Sequence, residues 1–284
     1  MRRASFRFMA FLAFATISLV LTSATTPSRA KLPTTPFRAE IATTLAPPEI
    51  SATPSRAEIA SWPEIFAKPK VLIFCKTNGY HHASIAAGTT AIKKLGEEHG
   101  FDVDVTTDST EFRYKILKKY SALIFLSPTG KVFGPEEEKA LQEYIHHGGG
   151  FLGIHAATDC EYNWQWYGDL VGGYFKSHPK QQQANIIVVD KDNPATKGLP
   201  ETWSRFDEWY NFKYLNPDIH VLLKIDEKSY TGGENGDNHP MAWYHEYDGG
   251  RSFYIELGHT DESYSDPLYL GLLLSGIQYA MGKK

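Results

Sequence analysis

Short apolar stretches recur at regular intervals in the first half of the globular part of this sequence. Runs of four or five residues have the length and continuity of strands that are buried on both faces of a sheet. The segment that begins at Gly134 has a proline and three glutamates in its first turn, as helices favour. Strands that alternate with helices predict a parallel sheet covered on both faces. The predicted strands span residues 71–75, 102–106, 122–126 and 151–154, and the predicted helices span residues 84–99, 111–118 and 134–147.

From residue 184 onward the pattern becomes rich in strands. The predicted strands span residues 185–189, 220–225, 241–247 and 251–257, and an apolar helix over residues 267–281 closes the chain. Residues 63–284 are numerous enough to form one domain with a full core. We therefore expect a single α/β domain over residues 63–284.

The first residues have the features of an export signal. Arg2, Arg3 and Arg7 precede an apolar run over residues 8–21, which is shorter than the roughly 20 residues that a membrane-spanning helix needs. We interpret residues 1–24 as a signal peptide and expect export to the periplasm or the extracellular space, with no membrane span after cleavage. Residues 25–62 contain a short repeat rich in Pro, Thr and Ala, seen at 35–42 and again at 53–60, and are predicted to be a disordered linker.

Composition narrows the partners that the domain is expected to bind. The formal net charge of -4 gives no indication of a nucleic-acid partner. Aromatic residues make up 13% of the chain, and many lie beside charged residues, as in the segments 164–167, 207–210 and 242–245. Such pairs suit sugar rings, although packing in the core is the other explanation for each aromatic side chain. We expect a small carbohydrate as the partner.

The two cysteines leave two possibilities open. Cys75 and Cys160 either form one disulfide bond or remain two buried thiols, because their spacing in the sequence does not determine their distance. With only two cysteines in a chain that we expect to be exported, disulfide bonds are not the main source of stability.

The most informative segment is the glycine-flanked apolar strand at residues 148–158. It predicts a sharp turn at the carboxyl end of a parallel strand, and His155 lies at the tip of this turn. Such a turn directs a side chain into the cleft where open α/β proteins bind ligands. A histidine there can bind a metal, transfer a proton or form a hydrogen bond with a polar ligand.

Other histidines also follow predicted strands or begin loops. His81 and His82 follow the first strand, so one of them should meet His155 at the carboxyl edge of the sheet, and we select His82. His178, His239 and His259 occupy similar positions. By contrast, the remaining candidates are predicted to be solvent-exposed: His146, His147 and His245.

Several ordered motifs make the sequence resemble the ThuA-like family, which is named for trehalose utilisation. The resemblance covers residues 69–284. The motifs are Gly79-Tyr80-His81-His82, the turn at 149–155, Gly172-Gly173-Tyr174-Phe175 with His178-Pro179, the block 207–210, Pro240-Met241-Ala242-Trp243, and residues 250–254 leading to Leu257-Gly258-His259.

The resemblance implies a fold and a broad function. The fold is the flavodoxin-like, class I glutamine amidotransferase-like three-layer sandwich with a mostly parallel central sheet. The function is a role in carbohydrate metabolism, often beside oxidoreductases that make or use 3-keto sugars. Glutaminase activity is excluded, because that chemistry needs a cysteine thiolate at the tip of the turn, where this chain has His155. Cys160 is expected to lie down the following helix, away from the site.

Two hypotheses describe an enzyme at this cleft. In the first, residues among His82, His155, His178, Glu208 and His259 bind zinc or another divalent metal, with an open position for a substrate oxygen or water. In the second, His155 acts with Glu208 or Asp207 as an acid/base pair that removes a proton next to the carbonyl of a keto sugar. Isomerisation, epimerisation and elimination would all use this step. Bound NAD is not expected, because no G-x-G-x-x-G turn follows a strand.

The rival hypothesis is a non-catalytic carbohydrate-binding module. Residues 230–238 are either a mobile lid over the site or a solvated loop. The predicted catalytic residues are His155, Glu208 and Asp207; the predicted substrate-binding residues are Tyr80, His82, His178, Tyr210, Trp243 and His259; the predicted metal ligands are His82, His155, Glu208 and His259.

Overall fold

A mixed β-sheet runs through the centre of the structure. The computed structural model describes residues 68–283, so the predicted signal peptide (1–24) and linker (25–62) lie outside the described residues. Within 68–283 the chain forms one nine-stranded sheet and a separate two-stranded ribbon. The strands are β1 (Lys70–Phe74), β2 (Asp102–Thr106), β3 (Ala122–Leu126), β4 (Gly150–Ile154), β5 (Gly173–Ser177), β6 (Gln182–Val188), β7 (Thr202–Asp207), β8 (Asn211–Leu215), β9 (His220–Ile225), β10 (Pro240–Tyr247) and β11 (Gly250–Ile255).

The sheet has a parallel half and an antiparallel half. Its strand order is β2-β1-β3-β4-β11-β10-β9-β6-β7, and β5 pairs with β8 in the ribbon. Strands β2, β1, β3, β4 and β11 are parallel to one another, so they end at one common edge. β3 and β4 are buried along their whole length, as their unbroken apolar sequences predict. The predicted α/β fold is confirmed, and its central sheet is parallel from β2 to β11 and antiparallel from β11 to β7.

Helices pack beside this sheet and supply the rest of the core. The first of them buries Ile85, Ile92 and Leu95 and ends at Gly100, which has a φ of 75°. The third begins with Pro135 and has glutamates in its first turn, as predicted. None of the helices within the described range combines the length and apolar character needed to span a membrane. The helices are α1 (Ile85–His99), α2 (Tyr114–Leu117), α3 (Pro135–His146), α4 (Gln165–Val171) and α5 (Pro267–Ala280).

Some elements are absent from the sequence-based prediction, and β7 shows why. Its buried side chains include Arg205 and Asp207, which form an ion pair, whereas its Phe206 is 52% exposed. The usual pattern of apolar residues inside and polar residues outside is therefore inverted. Strands β5 and β8 are short and pair with register shifts, and α4 has only seven residues, so these three elements give weak signals.

His245 is buried, which corrects the prediction that it is solvent-exposed. It is 1% exposed, and its Nε2 atom donates a hydrogen bond to the carbonyl oxygen of Asp169 at 2.9 Å. Its position on β10 faces inward towards α4, and the exposed end of the strand begins only after it. The other two histidines of that group, His146 and His147, are exposed as predicted.

The two cysteines are free buried thiols. Cys75 is 6% exposed and Cys160 is fully buried. Burial raises the pKa of both thiols. Of the two alternatives, the structure therefore favours unreactive thiols in the core over a disulfide bond.

Replacing His245 by glutamine should make the folded protein less sensitive to acid. Burial lowers the pKa of His245 below its ordinary value of 6.5, although the bond to the Asp169 carbonyl opposes this shift. Below pH 6.5 the unfolded chain therefore takes up a proton that the folded chain does not. Stability from this group is present above that pH and is lost as the pH falls, by up to about 1.4 kcal/mol per pH unit.

The measurement is urea unfolding at pH 7.5 and pH 5.5. The loss of unfolding free energy between these two pH values should be smaller in His245→Gln than in the wild type, by up to about 1.4 kcal/mol. His99→Gln changes an exposed histidine and serves as the control. An equal loss in wild type and His245→Gln would contradict the prediction.

Candidate active site

The ends of four strands place one group of polar side chains at the same edge of the sheet. His155 follows β4, His259 follows β11 after a short loop, Glu208 follows β7, and His82 lies in the loop after β1. The side chains of His82, Glu208 and His259 line a cavity of about 250 Å³, and that of His155 is fully buried beside them. The lining residues of the cavity are Tyr80, His82, Asp159, Phe175, His178, Gln181, Glu208, Tyr210 and His259.

His155 is held in one orientation at the end of β4. Its φ of 48° lies in the left-handed region, which non-glycine residues rarely adopt, and its side chain is fully buried. The Nδ1 atom lies 2.8 Å from the carbonyl oxygen of Glu256, which can only accept, so Nδ1 carries the proton. The hydroxyl of Tyr254 donates to the carbonyl oxygen of His155 at 2.7 Å. In this tautomer the lone pair of Nε2 faces the cluster.

The carboxylate of Glu208 contacts both His155 and His259. Its Oε2 atom lies 3.5 Å from His155 Nε2 and 3.1 Å from His259 Nδ1. Burial by itself raises the pKa of Glu208, but its close contacts with the imidazoles of His155 and His259 outweigh that effect. The net pKa lies well below its usual value, so the carboxylate is ionised at neutral pH.

Asp207 points away from the cavity, as expected for the neighbour of Glu208 in an extended segment. It is fully buried and pairs with Arg205 at 3.0 Å. Its carboxylate accepts the backbone N–H groups of Gly258 and His259, each at 3.1 Å. Asp207 therefore fixes the backbone that carries His259 and does not itself line the cavity.

His82 completes the cluster, whereas His81 is exposed and contacts Thr77. The His82 ring lies edge-on to the rings of His155 and His259, with centroid distances of 4.8 and 5.2 Å. Its Nδ1 atom is buried and has no hydrogen-bond partner among the residues that the structure describes. Burial, together with the charge of the neighbouring histidines, lowers the pKa of His82 to about 2. This imidazole is neutral.

The geometry of the cluster fits one divalent ion. His82, His155, Glu208 and His259 each offer one ligand atom, and these atoms all lie within 4.8 Å of one another. Three of the separations are 3.1, 3.1 and 3.5 Å. Two ligands at about 2.1 Å from a tetrahedral ion are about 3.4 Å apart, so these three atoms match one face of a tetrahedron. Imidazole and carboxylate are also the ligand types that zinc accepts.

A second carboxyl group, that of Glu256, lies next to His155, and its pKa is shifted in the opposite direction to that of Glu208. Glu256 is fully buried, and one of its oxygens accepts the backbone N–H of Tyr210 at 2.9 Å. Burial first, and then the charge of Asp207, raise the pKa of Glu256 well above its usual value. A neutral Glu256 thus lies behind the cluster, while an ionised Glu208 faces the cavity.

The aromatic residues of the cavity occupy its wall and its rim. Tyr210 is 2% exposed, and its ring lies 4.3 Å from the ring of His155 and 4.2 Å from the ring of Phe175. Tyr80 is 64% exposed at the rim, edge-on to His82. His178 also lies at the rim, with its Nδ1 atom 3.1 Å from Glu208 Oε1.

Trp243 does not lie at the cavity. Its side chain is fully buried in the core, where it stacks on Tyr254 at 4.3 Å and donates to the carbonyl oxygen of Val171. Gly172 permits this packing, because a Cβ atom there would approach Trp243 Nε1 to 2.2 Å. The expected role of Trp243 in sugar stacking is therefore not supported by its position.

Three lining residues are missing from the sequence-based set: Asp159, Phe175 and Gln181. Asp159 directly follows the 3₁₀ turn His155–Thr158 and lines the cavity. Its place as a carboxylate in the turn after β4 is a usable signal. Gln181 Nε2 lies 2.7 Å from His259 Nε2, but its position in a loop after β5 gives no such signal.

Residues 230–238 do not line the cavity, and hydrogen bonds to Glu227 hold this segment in place. Glu227 Oε1 accepts the backbone N–H groups of Asn235 and Gly236 and contacts His239 Nδ1, each at 2.7 Å. His239 in turn reaches the carbonyl oxygen of Tyr210. Of the two alternatives, a lid and a solvated loop, these contacts do not support a lid over the cavity.

Comparisons with known proteins place this geometry in a family. The family model for ThuA, described as trehalose utilisation, matches residues 70–280. A ThuA-like protein from Bacteroides uniformis ATCC 8492 is 29% identical, with a TM-score of 0.65 over 75% of this chain and 91% of that one. A second ThuA-like protein, from Parabacteroides merdae ATCC 43184, is 21% identical, with a TM-score of 0.59 over 76% of this chain and 91% of that one.

A more distant likeness concerns the fold alone. A β-galactosidase from Bacillus circulans sp. alkalophilus is 12% identical, with a TM-score of 0.51 over 76% of this chain and 31% of that one. No curated protein matches the sequence. Because the family model covers most of the chain and is joined by similar ThuA-like structures, this chain belongs to the ThuA family, which is associated with carbohydrate metabolism.

Proposed function

We propose that this protein is an exported enzyme of carbohydrate metabolism that acts on a keto sugar or keto glycoside. We further propose that His82, His155, Glu208 and His259 hold a divalent ion, zinc by preference, in its cavity. The observation that carries the proposal is the convergence of these four ligand atoms within 4.8 Å at a cavity of about 250 Å³. A bound divalent ion supplies Lewis acidity towards an oxygen of the substrate.

The protonation of the cluster supports ion binding. Metal-binding histidines commonly donate their second N–H to a backbone carbonyl, and His155 does so to Glu256. The buried Nδ1 atom of His82 lacks a partner within the described part of the chain, which is costly unless a ligand uses it. The ionised Glu208 brings a negative charge to the same point.

The cavity walls support a sugar ring as the substrate. Its volume equals the share of about eight water molecules in the liquid, which suits one ring better than an oligosaccharide. Tyr210 and Phe175 offer aromatic surface, and Gln181 and His178 offer hydrogen bonds beside it. A second ring or an aglycone would extend over the exposed Tyr80 at the rim.

The proposed step is removal of a proton from a carbon next to the ketone. A carbonyl group acidifies the neighbouring C–H bond, so a base of suitable pKa and a nearby stabilising charge can break it. Isomerisation, epimerisation and elimination of a glycoside all begin in this way. The position of His155 where a glutaminase needs cysteine, together with the burial of Cys160 in the core, argues against thiol chemistry.

Export is the third part of the proposal. Its support is the sequence alone: the basic start and apolar run of residues 1–24 and the repeat within residues 25–62. We infer a periplasmic or extracellular location, where a linker would keep the domain away from its point of attachment or secretion.

We expect the full chain to bind about one zinc ion per molecule. After incubation with zinc and dialysis, elemental analysis should find this ion in the wild type and in the control variant His147→Ala. It should be absent from the double variant His155→Ala, Glu208→Ala, whose folding is checked by circular dichroism. Free zinc at 100 times its Kd should raise the unfolding free energy by about 2.7 kcal/mol. A wild type that retains no ion after reconstitution would contradict the metal site.

We also expect the zinc-loaded protein to catalyse hydrogen exchange in a keto glycoside. The probe is methyl glucoside oxidised to a ketone at C3, followed in D₂O by proton NMR. The wild type should exchange the hydrogens next to the ketone, and His155→Ala should slow this exchange by at least about 100-fold. Calorimetric binding of the glycoside without any exchange would instead identify a non-catalytic sugar-binding module.

A further inference from the structure

The four-residue cluster cannot both hold an ion and serve as the base. A ligand atom gives its lone pair to the metal and is then unable to accept a proton. His155 already donates its other ring nitrogen to Glu256, and His259 Nε2 faces Gln181. The second oxygen of Glu208 lies against His178. The proposed reaction therefore needs a base elsewhere in the cavity.

Most of the other lining residues cannot serve as the base. Phe175 and Gln181 are not bases, and Tyr80 lies exposed at the rim. Burial raises the pKa of Tyr210 well above its usual value, so its hydroxyl keeps its proton. What remains is one carboxylate, Asp159, and the half-exposed His178.

Three hydrogen bonds fix Asp159 in the cavity wall. Its backbone N–H donates to Ala156 at 2.8 Å, and its carbonyl oxygen accepts the N–H of Gly130 at 2.9 Å. The hydroxyl of Tyr162 donates to Oδ1 of the carboxylate at 2.5 Å. One oxygen thus carries this hydrogen bond, and the other keeps its lone pairs for a substrate.

Tyr162 is itself held in place. Its hydroxyl lies 3.3 Å from the carbonyl oxygen of Phe175, and the ammonium group of Lys213 lies 3.6 Å from the centre of its ring. Burial raises the pKa of Asp159, although the Tyr162 bond opposes the shift. A carboxylate in such surroundings is a better base than one in water.

We propose that Asp159 is the catalytic base that takes the proton from the carbon next to the ketone, and that Tyr162 is its positioning residue. This inference rests on the proposed function. The C–H bond breaks, its electron pair moves into the enolate, and the proton passes to the Asp159 carboxylate. Return of that proton to the same or the neighbouring carbon restores the carboxylate, so the step needs no oxidant or reductant.

The test compares Asp159→Asn with a matched variant, Asp169→Asn. Asp169 also accepts a hydrogen bond from a tyrosine, Tyr214, but it does not line the cavity. Hydrogen exchange in the keto glycoside should fall by at least about 100-fold in Asp159→Asn and stay near the wild-type rate in Asp169→Asn. Zinc content and the calorimetric affinity for the glycoside should stay within about twofold of wild type in both, since Asp159 is not among the ion's ligands.

Tyr162→Phe provides a separate readout of positioning. Loss of its hydrogen bond should raise the pKa of Asp159, so the acid side of the exchange-against-pH profile should move to higher pH. Several other titratable groups interact with this carboxylate: His155, Cys160, His178, Tyr210, Lys213 and Tyr254. A Tyr162→Phe profile that superimposes on the wild-type profile would contradict the positioning role.

The possible failures can be told apart. Wild-type exchange in Asp159→Asn would overturn the inference and leave the proposed function standing. A 100-fold loss in His178→Gln with normal exchange in Asp159→Asn would assign the base to His178 and also overturn it. A zinc-loaded wild type that exchanges nothing would overturn the keto-sugar reaction and this inference together. Loss of zinc along with exchange in Asp159→Asn would also overturn the inference, because Asp159 would then act by supporting the ion and not as the base.

Discussion

The hydrogen bond from His155 Nδ1 to the carbonyl oxygen of Glu256 is the constraint on which the site depends. It joins the ends of β4 and β11, two parallel strands that pair up to Ile154 and Ile255. It also fixes the tautomer of His155, because a carbonyl oxygen can only accept. In this tautomer the lone pair of Nε2 faces His259 and Glu208, so this contact determines which atom His155 presents to the cluster.

A buried layer of charge beneath the cavity holds the other side of the cluster. Asp207 pairs with Arg205 and accepts the backbone N–H groups of Gly258 and His259. The loop after β11 therefore cannot move independently of β7. Glu256 stays neutral in the same layer. Buried charges of this kind are costly unless they are paired, and they specify a geometry more than they add stability. Asp207 therefore holds the loop that carries His259, while the adjacent Glu208 faces the cavity.

The sequence determines the parallel half of the sheet more clearly than the rest. Unbroken apolar runs identify β3 and β4, and the edge that these strands share explains why a histidine after β1 meets His155. β7 is not predictable in this way, because its inward side chains are Arg205 and Asp207. Trp243 and His245 show a further limit. The sequence predicts that Trp243 binds substrate and that His245 is solvent-exposed, and only the packing of α4 against β10 shows that both are buried. Asp159 carried a signal as a carboxylate in the turn directly after β4, and Gln181 carried none.

We propose that imidazole and carboxylate groups in this cavity, and no thiol, hold a divalent ion. The first measurement to make is X-ray absorption at the zinc edge of the zinc-loaded full chain. The spectrum should show nitrogen and oxygen scatterers at about 2.0–2.1 Å, and the imidazole outer-shell pattern of His82, His155 and His259 should be lost in the double variant His155→Ala, Glu208→Ala. A sulfur scatterer at about 2.3 Å, which only a cysteine thiolate would give, or an unchanged spectrum in that variant, would contradict this proposal.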